Sequence, residues 1–276
     1  MQLTIIKIGG SVVTDKKSTT PKINSKNLKI VARQLKNFKL PYVLIHGAGS
    51  FGHPIVKKTG IDKGIKNKSQ LLAFAETQRL QNQLNCLVCA ALIKEGISAI
   101  PCQASSHAIM KKGRLVKMEF KTMEGIVKLG MVPVCYGVPA FDEVQGSSIL
   151  SGDQIAPYLA LKLGAKKIIE AGDVEGIYTN DPKKNKKAEL IKEINKKNFQ
   201  EIVKYLSGSQ ATDVTGGMKQ KYLELAETAK KGIAIQIVHF KHLEEALNGQ
   251  KTGTTIDLKD QLKAENSKVK TITKKF

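Results

Sequence analysis

The stretch Val43-Leu44-Ile45-His46-Gly47-Ala48-Gly49-Ser50-Phe51-Gly52-His53 limits the possible folds more than any other part of the chain. Three aliphatic residues run straight into a glycine-rich turn. An apolar run of this length bounded by a turn signal reads as a strand buried on both faces, which implies a parallel sheet covered by helices. Gly47, Gly49 and Gly52 lack side chains, so backbone N–H groups here can close on an anion, or the stretch can serve only as a tight turn. In open α/β sheets the loops beyond the carboxyl ends of the strands are where ligands bind.

The same arrangement recurs along the chain. Leu3 to Ile8 reads as a buried strand ending in Gly9-Gly10-Ser11, with Lys7 at its carboxyl end and Lys16 in the loop beyond. Further strands are expected at 97–101, 132–136, 167–171, 233–239 and 253–256. Helices are expected from Asn24 or Ser25 to about 38, then over 69–95, 120–129, 151–163, 199–206 and 213–231. Lys57 to Lys68 reads as a basic loop, and glycine-centred hairpins are expected near 110–115 and 138–149. Alternating strands and helices predict an α/β, three-layer αβα sandwich with a mainly parallel central sheet. A single domain should cover 1–258, leaving 259–276 as a basic, flexible tail.

Composition narrows the function. The net charge is +21, but the lysines are spread along the chain and aromatics make up only 5%, which argues against nucleic acid. No apolar run approaches the roughly 20 residues that span a bilayer. The start lacks a signal-peptide layout, so a cytoplasmic protein is expected. Cys86 and Cys89 have metal-like spacing without a second ligand pair, which reads as core cysteine, and no metal-ligand set is legible.

Four glycine-bearing loops suggest a phosphorylated ligand held by backbone donors and helix N-termini. Neither G-x-x-x-x-G-K-[ST] nor G-x-G-x-x-G is present. Lysines accompany the glycines at Lys7, Lys16, and Lys219 with Lys221, the positive charge that phosphoryl transfer requires. Lys7 interrupts an apolar strand end, where a solvated lysine is unexpected. Asp153 can cap the helix it opens, or pair with the lysines. His53 can pack or cap, or bond a phosphate oxygen.

Together, Lys7-Ile8-Gly9-Gly10-Ser11, His46 to His53, Ser151-Gly152-Asp153, Gly172 to Tyr178 and Asp213 to Lys219 resemble the amino acid kinase superfamily. Within it they resemble the branch that acts on isopentenyl phosphate, chiefly through the Ser50-Phe51-Gly52-His53 ending. The resemblance covers residues 1 to about 256. It implies ATP and Mg2+, and transfer of a phosphoryl group to isopentenyl phosphate by a homodimer. Lys7 and Lys16 would stabilise the transferring group and Asp153 would orient the lysines. Gly9, Gly10 and Ser11 would hold ATP phosphates, with Asp173, Gly217 and Lys221 on the nucleotide side. Ala48 and Gly49 would line the junction of the two ligands. His53 and Gly152 would meet the acceptor, whose lobe would span about 1–170, with the ATP lobe at about 171–258. Its tail would rest on the 69–95 helix, with Phe74 or Leu84 as candidates. Three departures from the family pattern stand out: Ala48 for a common glycine, Gln154 for a second aspartate, and Glu170-Ala171-Gly172 where a threonine often precedes Asp173. A sister kinase with a phosphate or phosphonate acceptor, fosfomycin-kinase-like, is the alternative within the enzymes. A non-catalytic nucleotide-binding protein is the alternative outside them, and the set Lys7, Lys16, His53 and Asp153 argues against it.

Overall fold

The computed structural model describes residues 2–15, 17–182, 184–207 and 217–259. In chain order the first half holds β1 (Thr4–Ile8), α1 (Gly10–Val13), α2 (Ser25–Lys36), β2 (Tyr42–His46), α3 (His53–Thr59), α4 (Lys68–Lys94) and β3 (Ala99–Pro101). Next come β4 (Ala108–Lys111), β5 (Arg114–Met118), α5 (Lys121–Lys128), β6 (Val132–Tyr136), β7 (Val138–Asp142), β8 (Gly146–Leu150) and α6 (Gly152–Lys162). The last part holds β9 (Lys167–Gly172), β10 (Glu193–Ile194), α7 (Phe199–Ser207), α8 (Gly217–Lys230), β11 (Ala234–His239), α9 (Leu243–Leu247) and β12 (Thr254–Ile256).

β1, β2 and β6 are apolar runs because both faces are covered, and every residue in them is buried. The main sheet runs β10-β12-β11-β9-β1-β2-β6-β3, with only the β11–β12 pair antiparallel. One core packs Ile5, Val43, Ile45 and Ile168 against Ile155 and Leu159 of α6 and Leu225 of α8. The other packs Ile6, Ile8, Leu44 and Ile169 against Val31 and Leu35 of α2 and Leu84 and Val88 of α4. This is the expected three-layer sandwich. Asn24 fixes the start of α2 by accepting from Asn27 N at 3.1 Å.

The two hairpins, β4–β5 and β7–β8, join into a second sheet of order β5-β4-β7-β8. Asp142 holds their turns together, its carboxylate accepting from the backbone nitrogens of Lys112, Gly113, Val144 and Gln145. Burial pushes this carboxyl up, but the backbone donors outweigh it and bring the pKa down to about 2.

Some boundaries differ from expectation. The 57–68 stretch is not a plain loop, because α3 continues to Thr59, Gly60 ends it at φ 67, and a helical turn at Ile61–Lys63 buries Ile61. Two-residue β10 has no periodicity to read. Leu84, a candidate for meeting the acceptor tail, is fully buried in the core that also holds Leu44 and Val88. Cys89 is buried as expected, but Cys86 is exposed. Beyond β12, Asp257 N still donates to Ile194 O and Leu258 is buried. The tail from 260 onward lies outside the described residues.

Candidate active site

Lys7 on β1 and Glu170 on β9 are register partners on neighbouring parallel strands, so both side chains leave the same face of the sheet. Their outer neighbours in register, Ile45 and Ile237, are apolar. α6 begins directly above. Gly152 lets it approach, since a methyl there would lie 3.3 Å from Lys7 Cε and 3.3 Å from Ile45 Cγ2. That brings Asp153 down to the lysine, and α8 supplies Lys221 from the side.

The result is a ring of alternating charges. Lys7 Nζ lies 2.7 Å from Asp153 Oδ1 and 3.1 Å from Glu170 Oε2. Lys221 Nζ lies 3.0 Å from each of the same two oxygens. Burial pushes the Asp153 carboxyl up, but the ammonium groups of Lys221 and Lys7 outweigh it and hold the carboxyl well below the usual range. Burial likewise pulls Lys221 toward neutral, and Asp153 and Glu170 reverse that, holding it above the ordinary lysine range. Glu170 escaped the sequence reading. Its signal was a carboxylate inside Ile168-Ile169-Glu170-Ala171, the mirror of Lys7 inside β1.

Beside the ring, the two glycine loops touch backbone to backbone. A methyl on Gly10 would lie 2.5 Å from Gly49 N, and one on Gly47 would lie 2.5 Å from Gly10 N. Gly9 N donates to Ala171 O at 2.9 Å, and Gly47 N to Ile8 O at 3.0 Å, which fixes both loops to the strand ends. Ser50 N donates to Thr14 Oγ1 at 3.0 Å, joining the second loop to the end of the first.

On the opposite face, His46 is fully enclosed. Asn85 of α4 donates to His46 Nε2 at 3.1 Å and to Val134 O at 3.1 Å, while Nδ1 meets Gly47 O at 3.1 Å. That pattern fits a neutral ring with the proton on Nδ1. Burial pushes its pKa down to about 4. Thr77, Gln81 and Asn85 form a buried polar stripe at four-residue spacing on α4, and Gln81 donates to Ala48 O at 3.4 Å.

The other expected residues fall as follows. Ser11 lies in α1, Ala48 and Gly49 lie in the loop after β2, and His53 begins α3 at the loop's far end. Asp173 lines a cleft of about 250 Å³ with Val174, Glu175, Tyr178, Pro182 and His239, beyond the ends of β9 and β11. Gly217 is the first residue of α8. Lys16 and the 213–216 part of the last motif lie outside the described residues. Gln154, the departure from aspartate, has a structural role: it accepts from Leu115 N at 2.7 Å and donates to Gly113 O at 3.1 Å, tying the β4–β5 hairpin to α6. Arg114 in that hairpin also pairs with Glu224, one turn beyond Lys221.

Each ammonium of the ring has three donors, and two face carboxylates, which leaves one apiece for a phosphoryl oxygen. The four charges sum to zero before a ligand enters. Among the described residues no three His, Cys, Asp or Glu side chains stand together to hold a metal ion. The ring's carboxylates already face ammonium groups, so the residues do not form a ready-made cation site.

Known proteins carry the same architecture. A curated relative, isopentenyl phosphate kinase of Methanothermobacter thermautotrophicus, is 37% identical over 263 residues, covering 91% of this chain and 98% of its own. The isopentenyl phosphate kinase of Methanocaldococcus jannaschii is 34% identical and is covered in full, over 94% of this chain. A solved isopentenyl phosphate kinase superposes with a TM-score of 0.80 at 34% identity, covering 92% of this chain and 99% of that one. The sequence profile of the amino acid kinase family matches residues 2–239, and the chain belongs to that family, in its isopentenyl phosphate kinase branch.

Proposed function

We propose that this protein transfers the γ-phosphoryl group of ATP to isopentenyl phosphate, giving isopentenyl diphosphate and ADP. One observation carries the reading. Two ammonium groups, Lys7 and Lys221, are held by shared carboxylates beside two glycine loops at the carboxyl ends of parallel strands. A phosphate oxygen of the acceptor attacks the γ-phosphorus as its bond to the ADP oxygen breaks. The acceptor oxygen is already ionised, so no general base is needed. What the protein must supply is positive charge and alignment. The lysines supply the charge, and Asp153 orients them.

In this reading Gly9, Gly10 and Ser11 cradle the ATP phosphates, with Lys16 reaching the transferring group. The Asp173 cleft takes the nucleoside end, and Gly217 with Lys221 closes that side. Ala48 and Gly49 lie between the ligands, while His53 and Gly152 meet the acceptor, so that about 1–170 serves the acceptor and about 171–258 the nucleotide. Mg2+ would enter with the ATP phosphates, screening their charge, and no protein ligand for it is assigned. Exposed Leu71, Leu72, Leu87 and Ile93 give α4 an apolar surface for a homodimer. Among the described residues no helix is long and apolar enough to cross a membrane, and we place the enzyme in the cytoplasm.

The test is ADP release with a panel of phosphorylated C4 to C10 alcohols and fosfomycin. Turnover should be fastest with isopentenyl phosphate. Faster turnover with a phosphonate would move the enzyme to a sister kinase. ATP binding without ADP release would make it a nucleotide-binding protein. Sedimentation giving only a 30.2 kDa species at micromolar concentration would remove the homodimer.

A further inference from the structure

We infer that Glu170 is a positioning residue for phosphoryl transfer, holding Lys7 and Lys221 from the sheet side so that their remaining donors converge on one phosphoryl group. The inference rests on the kinase reading above. Its starting point is a carboxylate that fold stability does not explain. β9 runs Ile168-Ile169-Glu170-Ala171, and an aliphatic residue at 170 would suit the strand. Burying a carboxylate is costly, and replacing buried ion pairs by apolar groups is often neutral or stabilising. Asp153 alone already contacts both lysines, so Glu170 is not needed to give them a partner.

The geometry points to what it does add. A single atom, Oε2, lies 3.1 Å from Lys7 Nζ and 3.0 Å from Lys221 Nζ. The carboxylate's other oxygen, Oε1, is enclosed and meets no donor among the described residues. The group therefore turns one oxygen to both ammoniums and bridges them. Asp153 bridges the same two nitrogens from the N-terminus of α6. With one bridge the lysines, on long flexible stems and repelling each other, could pivot about Asp153. With two bridges both nitrogens are fixed, and their third donors have one direction left.

Four charged groups face one another here: Lys7 from β1, Glu170 from β9, Asp153 from α6 and Lys221 from α8. The neighbouring strands contribute only Ile45 and Ile237. Glu170 is thus one of two negative charges that favour the protonated form of Lys221. Because Asp153 and Glu170 hold Lys221 above the ordinary lysine range, removing Glu170 should bring deprotonation of Lys221 to lower pH.

The experiment compares wild type with Glu170→Gln and Glu170→Asp in steady-state kinetics from pH 6 to 10, ATP and isopentenyl phosphate being varied separately, alongside thermal melts. Glu170→Gln is expected to lower kcat about 10- to 100-fold through misalignment, with acceptor KM within about twofold. Wild type should stay level up to pH 10, since Lys221 is held above the ordinary lysine range, whereas the alkaline limb of Glu170→Gln should enter the measured range. Glu170→Asp keeps the charge at shorter reach. It should lower kcat at least about fivefold while the limb stays in place, and it keeps the test decisive if the glutamine variant fails to fold. Wild-type kcat and an unmoved limb in a variant that merely melts earlier would overturn the inference, as would wild-type kcat in Glu170→Asp. Calorimetric ATP binding across the same pH range follows the alkaline midpoint without the acceptor. A wild type that binds ATP but ignores isopentenyl phosphate would count against the substrate reading, while the binding midpoint would still decide on Glu170.

Discussion

Lys7 and His46 stand on neighbouring strands, one register step apart, and both are buried polar side chains beside glycine loops. They leave opposite faces of the sheet and meet opposite solutions. On the α6 and α8 face the polar group stays charged, and two carboxylates and a second lysine are buried with it. On the α4 face the polar group is neutral, satisfied by an amide and a backbone carbonyl and stacked on Tyr136 at 5.4 Å. Neutral pairing is the cheaper way to bury a polar group. The charged ring therefore indicates a demand from chemistry, and the His46 cluster a demand from packing. Substitutions on the two faces should separate catalysis from stability.

The largest effect is expected at Lys7. Lys7→Met removes one electrostatic donor and should lower kcat about 10²- to 10³-fold. It also leaves two carboxylates sharing Lys221, so unfolding free energy should fall by about 3–5 kcal/mol, as when one partner of a buried pair is removed. Denaturant titration beside kinetics reads both.

His53 sharpens the comparison from the ligand side. A contact present equally in ground and transition states acts on KM. His53→Ala should raise acceptor KM roughly 10- to 150-fold, the worth of one bond to a charged group, with a smaller change in kcat. Wild-type acceptor KM would take His53 out of the site.

His46 should break in stability and pH dependence. Its folded pKa of about 4 lies below the ordinary 6.5, so between those values the unfolded chain binds the extra proton. Stability should fall as pH drops through that window, by up to about 3 kcal/mol. The ring behaves otherwise. Asp153's contribution is present above the ordinary carboxylate pKa and lost only as pH falls through its lowered one. Lys221's is present below the ordinary lysine pKa and lost as pH rises through its raised one. Urea midpoints at pH 7 and 4.5 should thus differ more in wild type than in His46→Gln, with kcat of the variant within about fivefold at pH 7. Equal slopes would place the acid sensitivity elsewhere.

The smallest effect belongs to the tail. Deleting 260–276 should leave kcat within about twofold, because the truncation keeps Asp257 and the buried Leu258. A large loss in a folded truncation would bring the tail into the site.

The sandwich was legible because β1, β2, β6 and β9 are apolar runs between helices of clear period, and because each strand end carries glycine. Lys7 could be found because it breaks the apolar pattern of its strand, whereas Asp153 also reads as an ordinary helix cap and Gly152 stood out only through the family resemblance. Glu170 required tertiary information, being the register partner of Lys7; Lys221 was already legible, but its place beside Glu170 was not, since it arrives on a helix 51 residues further on. The Thr77-Gln81-Asn85 stripe was hidden because a single polar residue per turn barely changes an apolar helix face. Gln154 looked like a lost carboxylate until the β4–β5 hairpin showed what it holds.

The most direct measurement is ³¹P NMR of isopentenyl phosphate and ATP with wild type and with Lys7→Met, each shown to be folded. The account predicts diphosphate signals of isopentenyl diphosphate and ADP growing together in wild type, and no detectable diphosphate product over the same time with Lys7→Met. Inorganic phosphate in place of a new diphosphate, or product formation by Lys7→Met at the wild-type rate, would contradict it.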